Sequence, residues 1–287
     1  DFGSNVETVG EKAFRDCTAL TTVSPLLPDS VTYLDGSCFN GCTALTGVLR
    51  LGFGTGAVTC KGNEFVSTAI EEAYLGEKVT TCPNLSKCAS LRKLSWHDGI
   101  KSIAGFSGCS SLVDISPFVP TGITHFTQNA FASVPVTNDL VLSNRRLVSL
   151  PANSEWAIFR GVASVRADLS RSGVKTLGMH MFHGAGNLMS IDLGPLPTFG
   201  DNCFGWQKGL PSRITYPAGD AEWAQFIATS TESGALKLWK SADVTQAERD
   251  AYLAGFPATP KPVGKMSIAG SQKWLVPRTS GMMILLQ

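Results

Sequence analysis

A fifteen-residue pattern recurs near the start of the chain. V-E-T-V-G-E-K-A-F-R-D-C-T-A-L (residues 6–20) aligns without a gap with V-T-Y-L-D-G-S-C-F-N-G-C-T-A-L (residues 31–45), 25 residues further on. Val6 matches Val31, Val9 matches Leu34, Phe14 matches Phe39, Cys17 matches Cys42 and Leu20 matches Leu45. A period of this size constrains the fold more than any composition does, because a unit this small cannot bury its own apolar face and must stack on its neighbours. With the phenylalanine as anchor, nine units follow: Phe14, Phe39, Phe65, Leu85, Phe106, Phe131, Phe159, Phe182 and Phe204. Their spacings are 25, 26, 20, 21, 25, 28, 23 and 22 residues. The shared template is V-x-x-[VL]-x-x-x-x-F-x-x-C-x-x-L-x-x-[VI].

The end of each unit, as in L-R-K-L-S-W (Leu91 to Trp96) and L-M-S-I-D-L (Leu188 to Leu193), alternates with period two and predicts a short strand in a parallel sheet. The V-x-x-[VL] segment predicts a second extended piece. The A-F-x-x-C piece predicts a tight turn or a single helical turn, and Pro/Gly clusters such as I-S-P-F-V-P-T-G from Ile115 mark corners. At 43% hydrophobic and 16% charged residues the chain forms a core. With 24 Lys plus Arg against 23 Asp plus Glu, no face has to be basic, so nucleic acid is not an expected partner. No apolar run approaches the roughly 18–20 residues of a membrane span. The first residue is Asp1 rather than Met, and the chain reads as a processed or trimmed product whose missing export signal says nothing about location.

These residues resemble the BspA-type leucine-rich repeat of bacterial surface proteins, with a consensus near I-x-x-I-G-x-x-A-F-x-x-C-x-x-L-x-x-I-x-L-P. Glu7 to Val23 (E-T-V-G-E-K-A-F-R-D-C-T-A-L-T-T-V) match it closely and Lys175 to Leu193 less fully. The resemblance spans about residues 4 to 220 and departs from the pattern around Thr55 to Pro83 and Ser143 to Arg171, where the strand register is open. It implies an α/β-type repeat solenoid: a strand-rich, right-handed leucine-rich-repeat horseshoe of short parallel strands. I-T-Y-P-A-G-D-A-E-W (Ile214 to Trp223) resembles the closing segment of such arrays, a last strand followed by an aromatic-bearing helix. The expected domains are the solenoid at 1–220 and a C-terminal cap at 221–287, since a stack has an open apolar end; the alternative for 221–287 is an independent binding module. In the cap, Thr245 and Glu248 form a capping box that opens a helix ending at Gly255. A linker follows at Ala258 to Gly264, and K-M-S-I-A-G, K-W-L-V-P and M-M-I-L-L predict short strands.

Of the eight cysteines, Cys17, Cys42 and Cys109 stand three residues after a Phe anchor and Cys88 three after Leu85. That phase predicts buried, free thiols acting as small apolar side chains. Same-phase cysteines on adjacent units lie about 4.8 Å apart, so a disulfide stays within reach. His180 and His183 flank the anchor Phe182, but no further donor has matching spacing. The glycine-rich L-G-F-G-T-G-A-V-T (Leu51 to Thr59) lacks the G-K-[ST] of a phosphate loop and predicts a loop between units. There is no G-x-S-x-G and no converging carboxylate pair. The chain is therefore expected to be no enzyme, with no catalytic residue, no metal site and no cofactor.

The strand positions that alternate with the core ones should line a concave face. The candidate binding residues are Lys93, Ser95, Asp114, Ser190, Asp192 and Arg213, with Thr22, Ser24, Ser116 and Thr215 in the same phase. This face is polar and mixed in sign, suited to hydrogen bonding with a protein, peptide or glycan. The resemblance implies a monomeric binding protein, adhesin-like, extracellular or at the cell surface, whose partner is an extracellular protein or glycan. The alternative is a structural spacer or assembly module of a larger surface protein. A third, enzymatic reading would need a pocket that the sequence does not announce.

Overall fold

The computed structural model describes residues 2–21, 26–127, 129–148, 150, 158–204, 213–230, 232–233, 236–256, 260–268 and 271–278. The repeats stack as rungs of a strand-rich solenoid. Two parallel ladders run along it, one for each extended piece of the template. The first ladder contains Thr8–Val9, Tyr33–Leu34 and Thr59–Cys60, then Thr81–Asn84, Ser102–Gly105 and His125–Phe126, then Thr176–Leu177 and Thr198–Phe199. The second contains Val48–Leu51, Glu72–Leu75, Lys93–Ser95 and Asp114–Ser116, then Leu140–Val141, Arg166–Asp168, Ser190–Asp192 and Arg213–Pro217.

The register through Thr55 to Pro83, open in the sequence, is continuous. Val48, Leu49, Arg50 and Leu51 pair with Glu72, Ala73, Tyr74 and Leu75 in order. The short spacings are absorbed elsewhere. Cys82 and Ile103, each three residues before its anchor, occupy the ladder position that Phe126 takes five residues before Phe131. The connection from strand to anchor shortens by two residues while the strand keeps its place. Across the second irregular stretch, Leu140 and Val141 pair with Ala167 and Asp168, and Leu150 bridges Leu177.

The anchor turn contributes a third set of inter-rung bonds. The anchor N–H donates to the carbonyl just before the next anchor: Phe14 to Cys38 (2.8 Å), Phe39 to Glu64 (2.9 Å), Leu85 to Gly105 (3.0 Å), Phe131 to Ile158 (2.9 Å) and Phe182 to Cys203 (2.7 Å). The turn itself is a chain of i to i−3 bonds, such as Cys42 N–H to Phe39 O and Leu45 N–H to Cys42 O. Left-handed residues bracket it. Lys12, Ser37, Asn63, Asn129, His180 and Asn202 stand two before their anchors, with φ between 50° and 59°. Asp16, Gly41, Ser67, Lys87, Gly108, Ser133, Gly161 and Gly184 stand two after. For the non-glycine residues this backbone costs about 1 kcal/mol each, tolerated because it frees the anchor N–H for the neighbouring rung.

Inside, the anchors form an aromatic column. Ring centroids are 5.1 Å apart for Phe14–Phe39 and 5.4 Å for Phe39–Phe65. After Leu85 the column resumes, at 5.6 Å for Phe106–Phe131, 5.9 Å for Phe131–Phe159, and 5.8 Å for Phe159–Phe182 and Phe182–Phe204. Every anchor except the half-buried Phe14 is fully enclosed. Glu64, just before Phe65, is a fully buried carboxylate that accepts from the Gly62 and Asn84 backbone N–H groups. Gly54, in the glycine-rich stretch, lies against the Asp29 carbonyl, where any Cβ would overlap; this stretch is a packing corner.

All eight cysteines are unpaired thiols, and seven have little or partial exposure. The phased ones bond down the stack: the thiols of Cys42, Cys88 and Cys109 donate to the carbonyls of Phe14 (2.9 Å), Phe65 (3.1 Å) and Leu85 (3.0 Å), each the anchor of the preceding rung. Cys17 departs from the expected burial. It is exposed, because no described rung precedes Phe14 to cover it. Burial pushes the Cys38 thiol up to about 12 and raises those of Cys42, Cys60, Cys82, Cys88, Cys109 and Cys203. Brief iodoacetamide treatment of the native protein should therefore alkylate Cys17 first, with the buried thiols reacting only after denaturation. Peptide mass mapping checks this; fast labelling of Cys82 or Cys203 would contradict the packing.

Beyond the last repeat the second ladder continues into the C-terminal strands. Ser271–Arg278 pairs in parallel with Arg213–Pro217, placing Ile214 opposite Leu275. Gly264–Ile268, Leu236–Lys240 and Glu232–Ser233 then add antiparallel, giving an eight-stranded sheet. The expected strands at K-M-S-I-A-G and K-W-L-V-P form one hairpin, while M-M-I-L-L lies outside the described residues. The strand Leu236–Lys240 has no counterpart in the sequence reading. Helix α1 (Ala221–Thr229) is capped by Asp220 and buries Trp223, whose indole N–H donates to Gly194 O (3.1 Å) and whose ring stacks on Tyr216. Helix α2 (Gln246–Gly255) begins at the Thr245–Glu248 capping box and ends at Gly255, as expected. No described helix is long and apolar enough to cross a membrane.

Lys273, on the last strand, is only 3% exposed. Burial lowers its amine to about 8, with the Cys203 thiol acting the opposite way. An unfolded lysine titrates near 10.4, so between about pH 8 and 10 the unfolded state binds more protons and this group's contribution to stability rises with pH. The buried thiols oppose it, because they stay protonated in the folded state and ionise in the unfolded one above about pH 8.5. The difference between wild type and Lys273→Met isolates the amine. The variant should melt higher than wild type at pH 7, and the gap should close by pH 10. A gap that is constant across this range would show that Lys273 keeps its charge in the fold up to pH 10 and that burial does not lower its pKa.

Candidate functional site

The outer positions of the second ladder fall into two groups on either side of the break between Ser116 and Leu140. In the first group, Glu72, Lys93 and Asp114 stand in one row and Tyr74, Ser95 and Ser116 in the next. Lys93 Nζ is 3.9 Å from Asp114 Oδ2 and 5.7 Å from the Tyr74 ring centre. The Tyr74 hydroxyl donates to Glu72 Oε2 (2.8 Å), and Arg92 Nη1 is 2.7 Å from Glu72 Oε1. The Tyr74 hydroxyl, followed by the Arg92 charge, holds the Glu72 carboxyl below the usual carboxylate range. Lys93, Ser95 and Asp114 are at least partly exposed, and together with Glu72, Tyr74 and Arg92 they form a continuous polar patch on a rigid, fully packed floor.

In the second group Arg166 is the hub. Its guanidinium lies 2.6 Å from Asp192, 3.2 Å from Asp168 and 3.9 Å from Asp139. Burial works against its charge, and the Asp192, Asp168 and Asp139 carboxylates together more than offset this, so its pKa rises. Ser190 and Arg213 share a row with Arg166 but differ from it in environment. Ser190 is 7% exposed and Thr215 8% exposed. The Arg213 guanidinium lies 4.7 Å from the ring centre of Phe256, the residue that caps α2, and its Nε is buried with no partner among the described residues. Tyr252 and Phe256 pack with Trp274 and Val276 over this end of the face. Of the six candidates, the structure brings Lys93, Ser95 and Asp114 together, links Asp192 to Arg166, and places Ser190 and Arg213 beneath the C-terminal helix. Thr22 and Ser24 lie outside the described residues.

Glu72, Tyr74, Arg166 and Asp168 escaped the sequence reading, although E-A-Y-L and R-A-D-L carry the same alternation. Both fall in the irregular stretches where the template loses its phase. His180 and His183 pack edge to face at 4.9 Å. His180 is one of the left-handed turn residues, and burial, then the His180 and Arg160 charges, lower the His183 pKa. Among the described residues no group of three or more His, Cys, Asp or Glu is placed to hold a metal ion.

Two parallel ladders, a phased apolar column and a polar strand face define a leucine-rich-repeat solenoid. Residues 1–103, 63–153 and 84–211 match the BspA type Leucine rich repeat region, in six copies, and the chain belongs to that family. Among solved structures it is similar to a leucine-rich cell surface protein of Faecalibacterium prausnitzii A2-165, at 21% identity and TM-score 0.40 over 80% of this chain and 73% of that one. It is also similar to a leucine-rich repeat protein of Bacteroides ovatus ATCC 8483, at 14% identity and TM-score 0.28 over 77% of this chain and 84% of that one. No curated protein matches it.

Proposed function

We propose that this chain is a non-enzymatic binding protein, exported to the cell surface or beyond, that presents its second-ladder face to an extracellular protein or glycan. The observation that carries the reading is the patch of Glu72, Tyr74, Arg92, Lys93, Ser95 and Asp114. Its side chains are held in register by paired strands and interlinked by ion pairs and a phenol–carboxylate bond. Such preorganised polar groups favour specific recognition, because little side-chain ordering is left for binding to cost. Residues 1–220 act as the scaffold and 221–287 close its end. The protein acts as a monomer.

The test is an array of extracellular matrix proteins, mucins and glycans probed at micromolar concentration with wild type and with a Lys93→Glu, Asp114→Lys double variant. A ligand that the wild type captures and the variant loses supports the reading. Silence across the array would favour a spacer that holds other domains away from a surface.

A further inference from the structure

A second site lies at the corners where the chain passes from the second ladder back to the first. Three successive rungs form a pocket of about 480 Å³ there, and Lys101, Thr121, Thr124, Asn144, Arg145 and Arg146 supply its walls. The corner backbone is fixed. The Asn144 amide donates to Ile123 O (2.9 Å) on the preceding rung, while its Oδ1 accepts from the Arg146 N–H (2.9 Å). The Thr124 hydroxyl donates to Lys101 O (3.1 Å) and the Thr121 N–H to Asp98 Oδ1 (2.8 Å). From the next rung, Gly173 sits directly on the Arg145 carbonyl, where a Cβ would overlap it, so the arginine corner is clamped from both sides.

The charges of this corner are unspent. Among the described residues Lys101, Arg145 and Arg146 take part in no ion pair, although nearby Arg92, Lys93 and Arg166 all do. Asp98, the acid of this corner, has one oxygen occupied by the Thr121 N–H. Three exposed, unpaired cations around one concavity are a local concentration of positive charge in a chain whose net charge is only +1. A guanidinium group matches a carboxylate or sulfate through paired N–H donors, and two line this pocket; the Thr121 hydroxyl can exchange hydrogen bonds with ligand hydroxyls, and the Thr124 hydroxyl, which donates to Lys101 O, can still accept one. With Gly122 and Ser143, eight residues line the pocket, and none carries an aromatic ring. A neutral sugar therefore gains no ring contact here. The volume is that of a small-molecule pocket.

We propose that this corner binds an anionic saccharide, with Arg145 and Arg146 holding a carboxylate or sulfate ester, Lys101 adding long-range attraction, and Thr121 and Thr124 meeting sugar hydroxyls. The site is separate from the strand-face patch, and its test is independent of the ligand of that patch.

Isothermal titration of the full chain in 50 mM salt with a heparin-derived tetrasaccharide, a hyaluronan tetrasaccharide, maltotetraose and sodium sulfate tests it. Binding of either acidic tetrasaccharide, with maltotetraose inert, supports the site. Sulfated binding alone assigns the sulfate ester, and uronate binding alone assigns the carboxylate. The Arg145→Ala, Arg146→Ala double variant should weaken that binding about 10-fold or more, and Lys101→Gln should weaken it less. The Lys93→Glu, Asp114→Lys variant should leave it unchanged, which separates this result from any failure of the strand-face reading. Unchanged binding by the arginine variant, equal binding of maltotetraose, no binding of either acidic tetrasaccharide, or displacement by sulfate at the same concentration as the tetrasaccharide would overturn the proposal.

Discussion

Phe131→Ala is expected to destabilise the protein by about 3–5 kcal/mol. Phe131 is fully buried and sits mid-column, between Phe106 at 5.6 Å and Phe159 at 5.9 Å. The rings of Phe118, Phe126 and Trp96 also surround it, at 5.1, 6.3 and 6.3 Å. Truncation removes the ring and leaves a cavity that strands paired on both sides cannot close around. In a repeat stack each rung is stabilised mainly by its two neighbours, so the loss falls on both interfaces at once. Phe14→Ala is the internal comparison. That ring is half-buried and meets Phe39 on one side and Phe2 on the other, so about 1–2 kcal/mol is expected. Guanidinium denaturation followed by tryptophan fluorescence measures both. A Phe14 effect equal to or larger than the Phe131 effect would mean that the column is not the axis of the core.

The second large effect is expected from ending the chain after Thr229. This removes Ser271–Arg278, the strand that pairs with all five residues of Arg213–Pro217, and the bond from the Arg278 guanidinium to Leu193 O. It also uncovers Ser190, Thr215 and the ladder beneath Trp274 and Val276. An unpaired parallel strand with an apolar floor is a template for intermolecular pairing. The shortened chain should self-associate on size exclusion, and the amides of Ile214 to Tyr216 should lose protection from exchange by about 100-fold or more. A monomeric product with unchanged protection at Ile214 to Tyr216 would show that α1 alone seals the stack.

The repeat was legible because the positions that make it are also the buried ones. Val9, Leu34, Phe39, Cys42 and Leu45 recur in phase, and in the fold they face one core. What escaped the sequence reading involves partners distant in the chain. Cys17 carries the same phase as Cys42, yet it is exposed because burial there depends on a preceding rung. Ser190 and Arg213 alternate as Lys93 and Ser95 do, and only the packing of Tyr252, Phe256 and Trp274 takes them out of solvent. Glu72 and Arg166, the best-connected charges on the face, lie in units whose spacing drifts from the template. A local pattern predicts which side a residue faces. It carries no information about what a later segment lays over that side.

The way the second ladder ends bears on how the chain acquires its structure. Within the repeats each strand meets a partner about one unit away, as Ile191 meets Ile214. These closures are short loops, cheap in entropy, and they can form in sequence as the chain is made. The final pairing is different: Ile214 meets Leu275 only after α1, α2 and three intervening strands have been placed. The last repeat therefore waits for a strand some sixty residues further along the chain, Ser271–Arg278. A polypeptide emerging from a ribosome or a translocation channel would build its rungs progressively and keep a reactive edge until Ser271–Arg278 arrives, so this closure is the step at which premature association competes with folding.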